Sequence, residues 1–141
     1  MTTLRASAGM DKLKKILLRL ILGLLILFVT ATAGTIAWMW YRQTPTHNEA
    51  KLKALSDEAH TLVARGPADE TLRIPEKLWP PTIARLNPEW VRVFPWGVDV
   101  EMVSFFDGGW GYDIVTEDKQ PPMPIECYEN LGRGIYWHGP C

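Results

Sequence analysis

Most of the signals that announce a particular chemistry are missing from these 141 residues. Only two cysteines are present, Cys127 and Cys141, and one such pair is not a zinc signature. No G-x-S-x-G elbow surrounds Ser7, Ser56 or Ser104, and His47, His60 and His138 are too scattered to build a triad with any of them. Gly108-Gly109-Trp110-Gly111 lacks the spacing and the following helix of a phosphate-binding loop. The D-x-D-x-D-G order of a calcium loop is absent. Basic excess is also missing from the larger part of the chain: residues 44–141 carry nine basic and fifteen acidic side chains, a balance of −6. A phosphate backbone is met by Lys and Arg, so a nucleic-acid partner is disfavoured. Trp, Phe, Tyr and Val are too plentiful there for disorder.

Charge is scarcest from Leu20 to Trp40, where LILGLLILFVTATAGTIAWMW has no ionisable side chain over 21 residues. At about 1.5 Å per residue a helix of that length spans about 30 Å, the thickness of a bilayer's hydrocarbon core. A helix is expected because every backbone polar group must be satisfied within the segment. Arg5, Lys12, Lys14, Lys15 and Arg19 precede the run and Arg42 alone follows closely. That asymmetry predicts a cytoplasmic N-terminus and an exported remainder. Trp38, Trp40 and Tyr41 cluster at the exit end, where amphipathic rings favour the headgroup level. The rival is a cleaved secretory signal, with Ala31-Thr32-Ala33 as its small-residue cleavage pattern. The apolar run continues through Ile36 to Tyr41, longer than such a signal needs, so we read a retained anchor. Thr30/Gly34 and Ala33/Ala37 form small-xxx-small pairs that allow two helices to approach, which is the basis for expecting a homodimer through this span.

Gln43-Thr44-Pro45 ends the span, and Thr46-His47-Asn48-Glu49 reads as a capping box opening a second helix. Leu52, Leu55, Ala59, Leu62 and Val63 recur at helical spacing up to Gly66-Pro67, an apolar stripe expected to pack on its own domain. Pro75 and Pro81 each stand where a short helix starts, with Trp79 and Leu86 expected under a following sheet. After Asn87-Pro88 the period changes to two. Trp90–Phe94, Val98–Phe106, Trp110–Thr116 and Ile135–His138 read as strands of an antiparallel meander, with turns at Pro95-Trp96-Gly97 and Asp107-Gly108-Gly109. The class is therefore α+β. It comprises a basic cytoplasmic tail (1–19), a transmembrane helix (20–41), an amphipathic stalk helix (46–66) and a small extracytoplasmic domain (67–141).

An exported Cys127–Cys141 pair is expected to form a disulfide, closing a loop worth about 3 kcal/mol in the chain-entropy treatment. The weaker alternative is a metal held by Cys127, His138 and Cys141 with Glu126. Val98, Val100 and Met102 alternate with Asp99, Glu101 and Val103, which places the acids on a solvated face. Asp107, Asp113, Glu117 and Asp118 extend this acidic region. The aromatic residues are expected mainly in the core, with Trp96 and Trp110, beside turn glycines, as the exposed exceptions.

In outline the layout resembles type IV pilins and pseudopilins: basic leader, apolar N-terminal helix, antiparallel sheet, late cysteine pair. In that family cleavage follows a Gly, which Gly9-Met10 imitates, and the fifth mature residue is Glu. Here that position is Lys14, and Lys12, Lys15 and Arg19 stand where a pilin is apolar. These departures fall on the residues that define the family, so none is assigned.

No catalytic group, cofactor or metal is expected. The partners expected are the lipid bilayer and a protein or cell-envelope component. The alternative function is glycan binding or cleavage through Trp96, Trp110, Asp107 and Asp113.

Overall fold

The computed structural model describes residues 4–66, 70–106, 108–116 and 119–141. The chain divides between Trp40 and Tyr41 into two compact units.

The first unit is helical. Helix α1 covers Leu4–Arg42, and its stretch Leu13–Arg42 is long and apolar enough to cross a membrane. The hydroxyls of Thr30, Thr32 and Thr35 donate back to the carbonyls of Ile26, Phe28 and Ala31 at 3.0, 2.7 and 3.0 Å, so these polar groups are satisfied within the helix. One long apolar helix near the N-terminus fits a single-pass anchor or a signal sequence.

The second unit is a six-stranded antiparallel sheet with helices on one face, an α+β arrangement. Its elements are α2 (Glu49–Arg65), β1 (Leu72–Ile74), a 3-10 turn (Glu76–Leu78), α3 (Pro81–Arg85), β2 (Trp90–Phe94), β3 (Gly97–Phe105), β4 (Gly108–Val115), a 3-10 turn (Ile125–Cys127), β5 (Tyr128–Gly132) and β6 (Ile135–His138). The strand order β1-β2-β3-β4-β6-β5 departs from a simple meander, because β6 and not β5 pairs with β4.

Helix α2 starts two residues later than the Thr46 box implies. Asn48 is the N-cap, its side-chain oxygen accepting from the Lys51 amide at 3.0 Å, while the Thr46 hydroxyl accepts from the Asn48 amide at 3.4 Å. The apolar stripe lands as expected: Leu52, Leu55, Ala59 and Leu62 are buried with Ile83, Val91, Val93, Val98, Val100 and Ile114 in one core. Each fully buried aliphatic side chain contributes about 1.5–3 kcal/mol. Pro81 opens α3, whose first amides Thr82 and Ile83 donate to the Glu58 carboxylate at 2.8–3.0 Å, joining α3 to α2. Trp79 and Leu86 are half-buried against the core, and the Trp79 indole donates to the Ile74 carbonyl at 2.9 Å.

The face assignment of β3 holds up to Met102. A register shift between Glu101 and Val103 then changes it, and Val103 packs against the apolar core and not beside the acids. Tyr112 and Trp137 bury their rings on the same side, centroids 4.7 Å apart and edge-on.

Candidate functional site

The opposite face of the sheet holds the candidate site. The register sets Asp99 across from Arg92 on one side and Asp113 on the other, and Gly111 lies across from both Glu101 and His138. Strand alternation therefore brings these side chains onto one surface. That surface is not solvated, contrary to the expectation for its acids. Asp99 is 4% exposed, Glu101 5%, Asp113 3% and His138 7%. The cover comes from outside the sheet: Pro122 and Met123 from the loop after β4, and Gly139 and Cys141 from the C-terminal tail, line the same pocket. Cys127 and Cys141 meet at disulfide distance, Cα atoms 5.7 Å apart, and tie the tail to the start of β5. This pairing, and not a metal cluster with His138, is the arrangement of the two cysteines.

Two glycines make the crowding possible. A Cβ on Gly109 would lie 1.7 Å from Glu101 Oε1, and one on Gly111 would lie 2.7 Å from the Val100 carbonyl oxygen and 3.1 Å from His138 Nε2. Bare backbone on β4 thus leaves room for Glu101 and His138 to lie over that strand.

The hydrogen bonds leave the cluster partly unsatisfied. Arg92 Nε and Nη2 donate to Asp99 Oδ2 at 2.8 and 2.5 Å. Asp99 Oδ1 is buried with no hydrogen-bond partner among the described residues. Tyr128 Oη donates to Asp113 Oδ2 at 2.5 Å and accepts from the Met123 amide at 3.4 Å, linking the covering loop to the floor of the pocket. His138 Nδ1 lies 3.2 Å from the Gly109 carbonyl oxygen. Because a carbonyl only accepts, Nδ1 carries the hydrogen and Nε2 keeps a lone pair.

Burial controls the titration of this cluster. It pushes Asp113 up from 3.8 to about 7, opposed by the Tyr128 hydrogen bond and reinforced by the Asp99 charge. It likewise raises Glu101 from 4.5 to about 7, with Asp99 adding to the shift and Arg92 opposing it. Asp99 is also raised by burial despite Arg92, and His138 is lowered by burial, against the pull of Asp99. One guanidinium faces three buried carboxyls, so negative charge is under-compensated.

The pocket has a volume of about 290 Å³. One wall is aromatic: Trp96 stacks on Phe94 with centroids 5.0 Å apart and planes 15° from parallel, and both line the cavity. Of the four residues singled out for binding, Trp96 and Asp113 come together here. Trp110 lies instead against the apolar core, as period two with Tyr112 requires. Asp107 lies outside the described residues. Asp99, Glu101, His138, Arg92 and Tyr128 complete the site; the sequence alone sets Asp99 and Glu101 on a solvated face and His138 beside the cysteines, and does not single out Arg92 or Tyr128. The alternation in VDVEM was a signal for two of them, but their convergence with Asp113 and His138 depends on strand pairing.

Outside this pocket, Ser56 Oγ lies 3.5 Å from His60 Nδ1. That nitrogen is 2.7 Å from the Ser56 carbonyl oxygen and so carries a hydrogen. It cannot take the serine proton, and the pair makes no nucleophile.

Compared with protein-family models, curated proteins and solved structures, the chain matches none.

Proposed function

We propose that this is a single-pass membrane protein with a cytoplasmic N-terminus, whose sheet domain stands outside the cytoplasm as a non-enzymatic binding module for a cell-envelope component. Support for the topology comes from the five basic residues before the apolar run against Arg42 after it, and from the aromatic residues at its far end. The setting this suits best is a bacterial inner membrane, where an oxidising exterior maintains the Cys127–Cys141 bond.

The observation that carries the binding role is the pocket in which the Trp96–Phe94 stack faces Asp99, Glu101 and Asp113. An apolar ring surface beside carboxyl oxygens suits the flat face and hydroxyl groups of a sugar, so a glycan is the favoured ligand class. A second reading, glycan cleavage, draws on two carboxyls that change protonation near pH 7, the property a general acid and base pair needs.

Titration of the full-length protein in detergent with cell-wall oligosaccharides tests these readings. Binding quenches Trp emission, and Trp96→Ala removes most of the quench. An unchanged spectrum excludes the glycan reading. Release of new reducing ends, lost in Glu101→Gln, makes the domain a hydrolase.

A further inference from the structure

We propose that Asp99, Asp113 and His138 form a binding site for one divalent transition-metal ion, with a coordination position left open toward the pocket. The inference deepens the reading of this pocket as a binding site by naming a ligand class for its floor.

The geometry is that of a preassembled site. One ligand atom from each of the three residues lies within 4.8 Å of the others, and all three residues are buried. Bonds of about 2.0–2.2 Å put tetrahedral ligand atoms roughly 3.4 Å apart, so these side chains would close in by up to about 1.4 Å on binding an ion. The outer contacts are those expected around metal ligands. Arg92 occupies Asp99 Oδ2 and Tyr128 occupies Asp113 Oδ2, while the Gly109 carbonyl holds His138 Nδ1 and leaves Nε2 as the donor atom. An independent observation points the same way. Asp99 lines the pocket at 4% exposure, yet its Oδ1 has no hydrogen-bond partner among the described residues. A buried carboxylate oxygen without a partner is costly, and a bound cation satisfies it.

The donor set selects among ions. Two carboxylates and one imidazole suit zinc, manganese or iron(II). Calcium takes six to eight oxygen ligands, and three protein groups including a nitrogen supply too few. Three protein ligands leave a fourth position for water or for a ligand oxygen entering the pocket.

The test uses the full-length chain in detergent with its disulfide intact, stripped with chelator and titrated with zinc chloride by calorimetry and with cobalt(II) by visible absorption. The expected result is one saturable ion per chain, with a cobalt spectrum typical of mixed oxygen and nitrogen ligation. Asp99→Asn and Asp113→Asn, which preserve shape, should each weaken zinc binding about tenfold or more. His138→Gln should do the same, and His47→Gln and His60→Gln should leave binding unchanged. Folding of each variant is checked by its melting transition. The proposal is overturned if folded wild-type protein shows no saturable uptake, if uptake survives Asp99→Asn undiminished, or if it disappears in His47→Gln or His60→Gln. Sugar quenching without metal uptake overturns the metal site alone. Metal uptake without a sugar response supports the metal site and overturns only the glycan reading.

Discussion

Asp113 shows what burial does to a single carboxyl. Its pKa is about 7 in the folded chain against 3.8 ordinarily. Between those values the folded state holds a proton that the unfolded state has released, so stability falls as pH rises from about 4 to about 7 and levels off above. Over the whole interval the decline attributable to this group should be on the order of 4 kcal/mol, about 2–3 kcal/mol of it between pH 5 and pH 8. Urea denaturation of metal-free protein at pH 5 and pH 8 should show it, and Asp113→Asn should flatten the slope. A wild-type midpoint that rises over this range contradicts the buried cluster. Gly111 belongs to the same scale. With its Cβ within 2.7 Å of the Val100 carbonyl oxygen, Gly111→Ala forces β3 and β4 apart. A loss of about 1–3 kcal/mol is expected by the same measurement.

Elements differ in how much the sequence disclosed. Strands β2, β3, β4 and β6 are rich in Val, Ile and aromatic residues, and all were legible, within two residues at their ends. Strand β1 is three residues inside a proline-rich stretch, too short for any period to register. Strand β5, Tyr-Glu-Asn-Leu-Gly, has little β propensity. It exists because a two-residue turn at Arg133 (φ 57°) and Gly134 (φ 73°) folds it back on β6, and Arg is an unusual residue for such a turn. The buried acids were misplaced for a related reason. Alternation identifies two faces, but it cannot show that Pro122, Met123 and the C-terminal tail cover the second one. The disulfide holds that cover in place. Cys127→Ala should lower the melting temperature of oxidised protein by about 12 °C or more, at about 4–8 °C per kcal/mol for a bond worth about 3 kcal/mol, and reducing agent should do the same to wild type. A reduced curve that coincides with the oxidised one removes the bond from the stability of the domain. On the apolar face, Leu55→Ala should cost about 2–5 kcal/mol, because Leu55 is fully buried between α2 and the sheet.

At the scale of the whole molecule, the sequence divides into a greasy helix and an acidic domain, and the two compact units follow that division. From Leu20 to Trp40 apolar side chains surround α1, the pattern shared by a single-pass anchor and a signal sequence. Membrane residence and orientation decide which compartment the pocket samples, and therefore whether an envelope ligand or an external metal can reach it. A tag placed after Cys141 reads both at once in sealed spheroplasts treated with protease, followed by alkaline extraction of the membranes. An exported, anchored domain predicts that the tag is removed from outside while the α1 fragment stays in the membrane pellet. A protected tag, or an intact chain recovered in the soluble fraction, contradicts it.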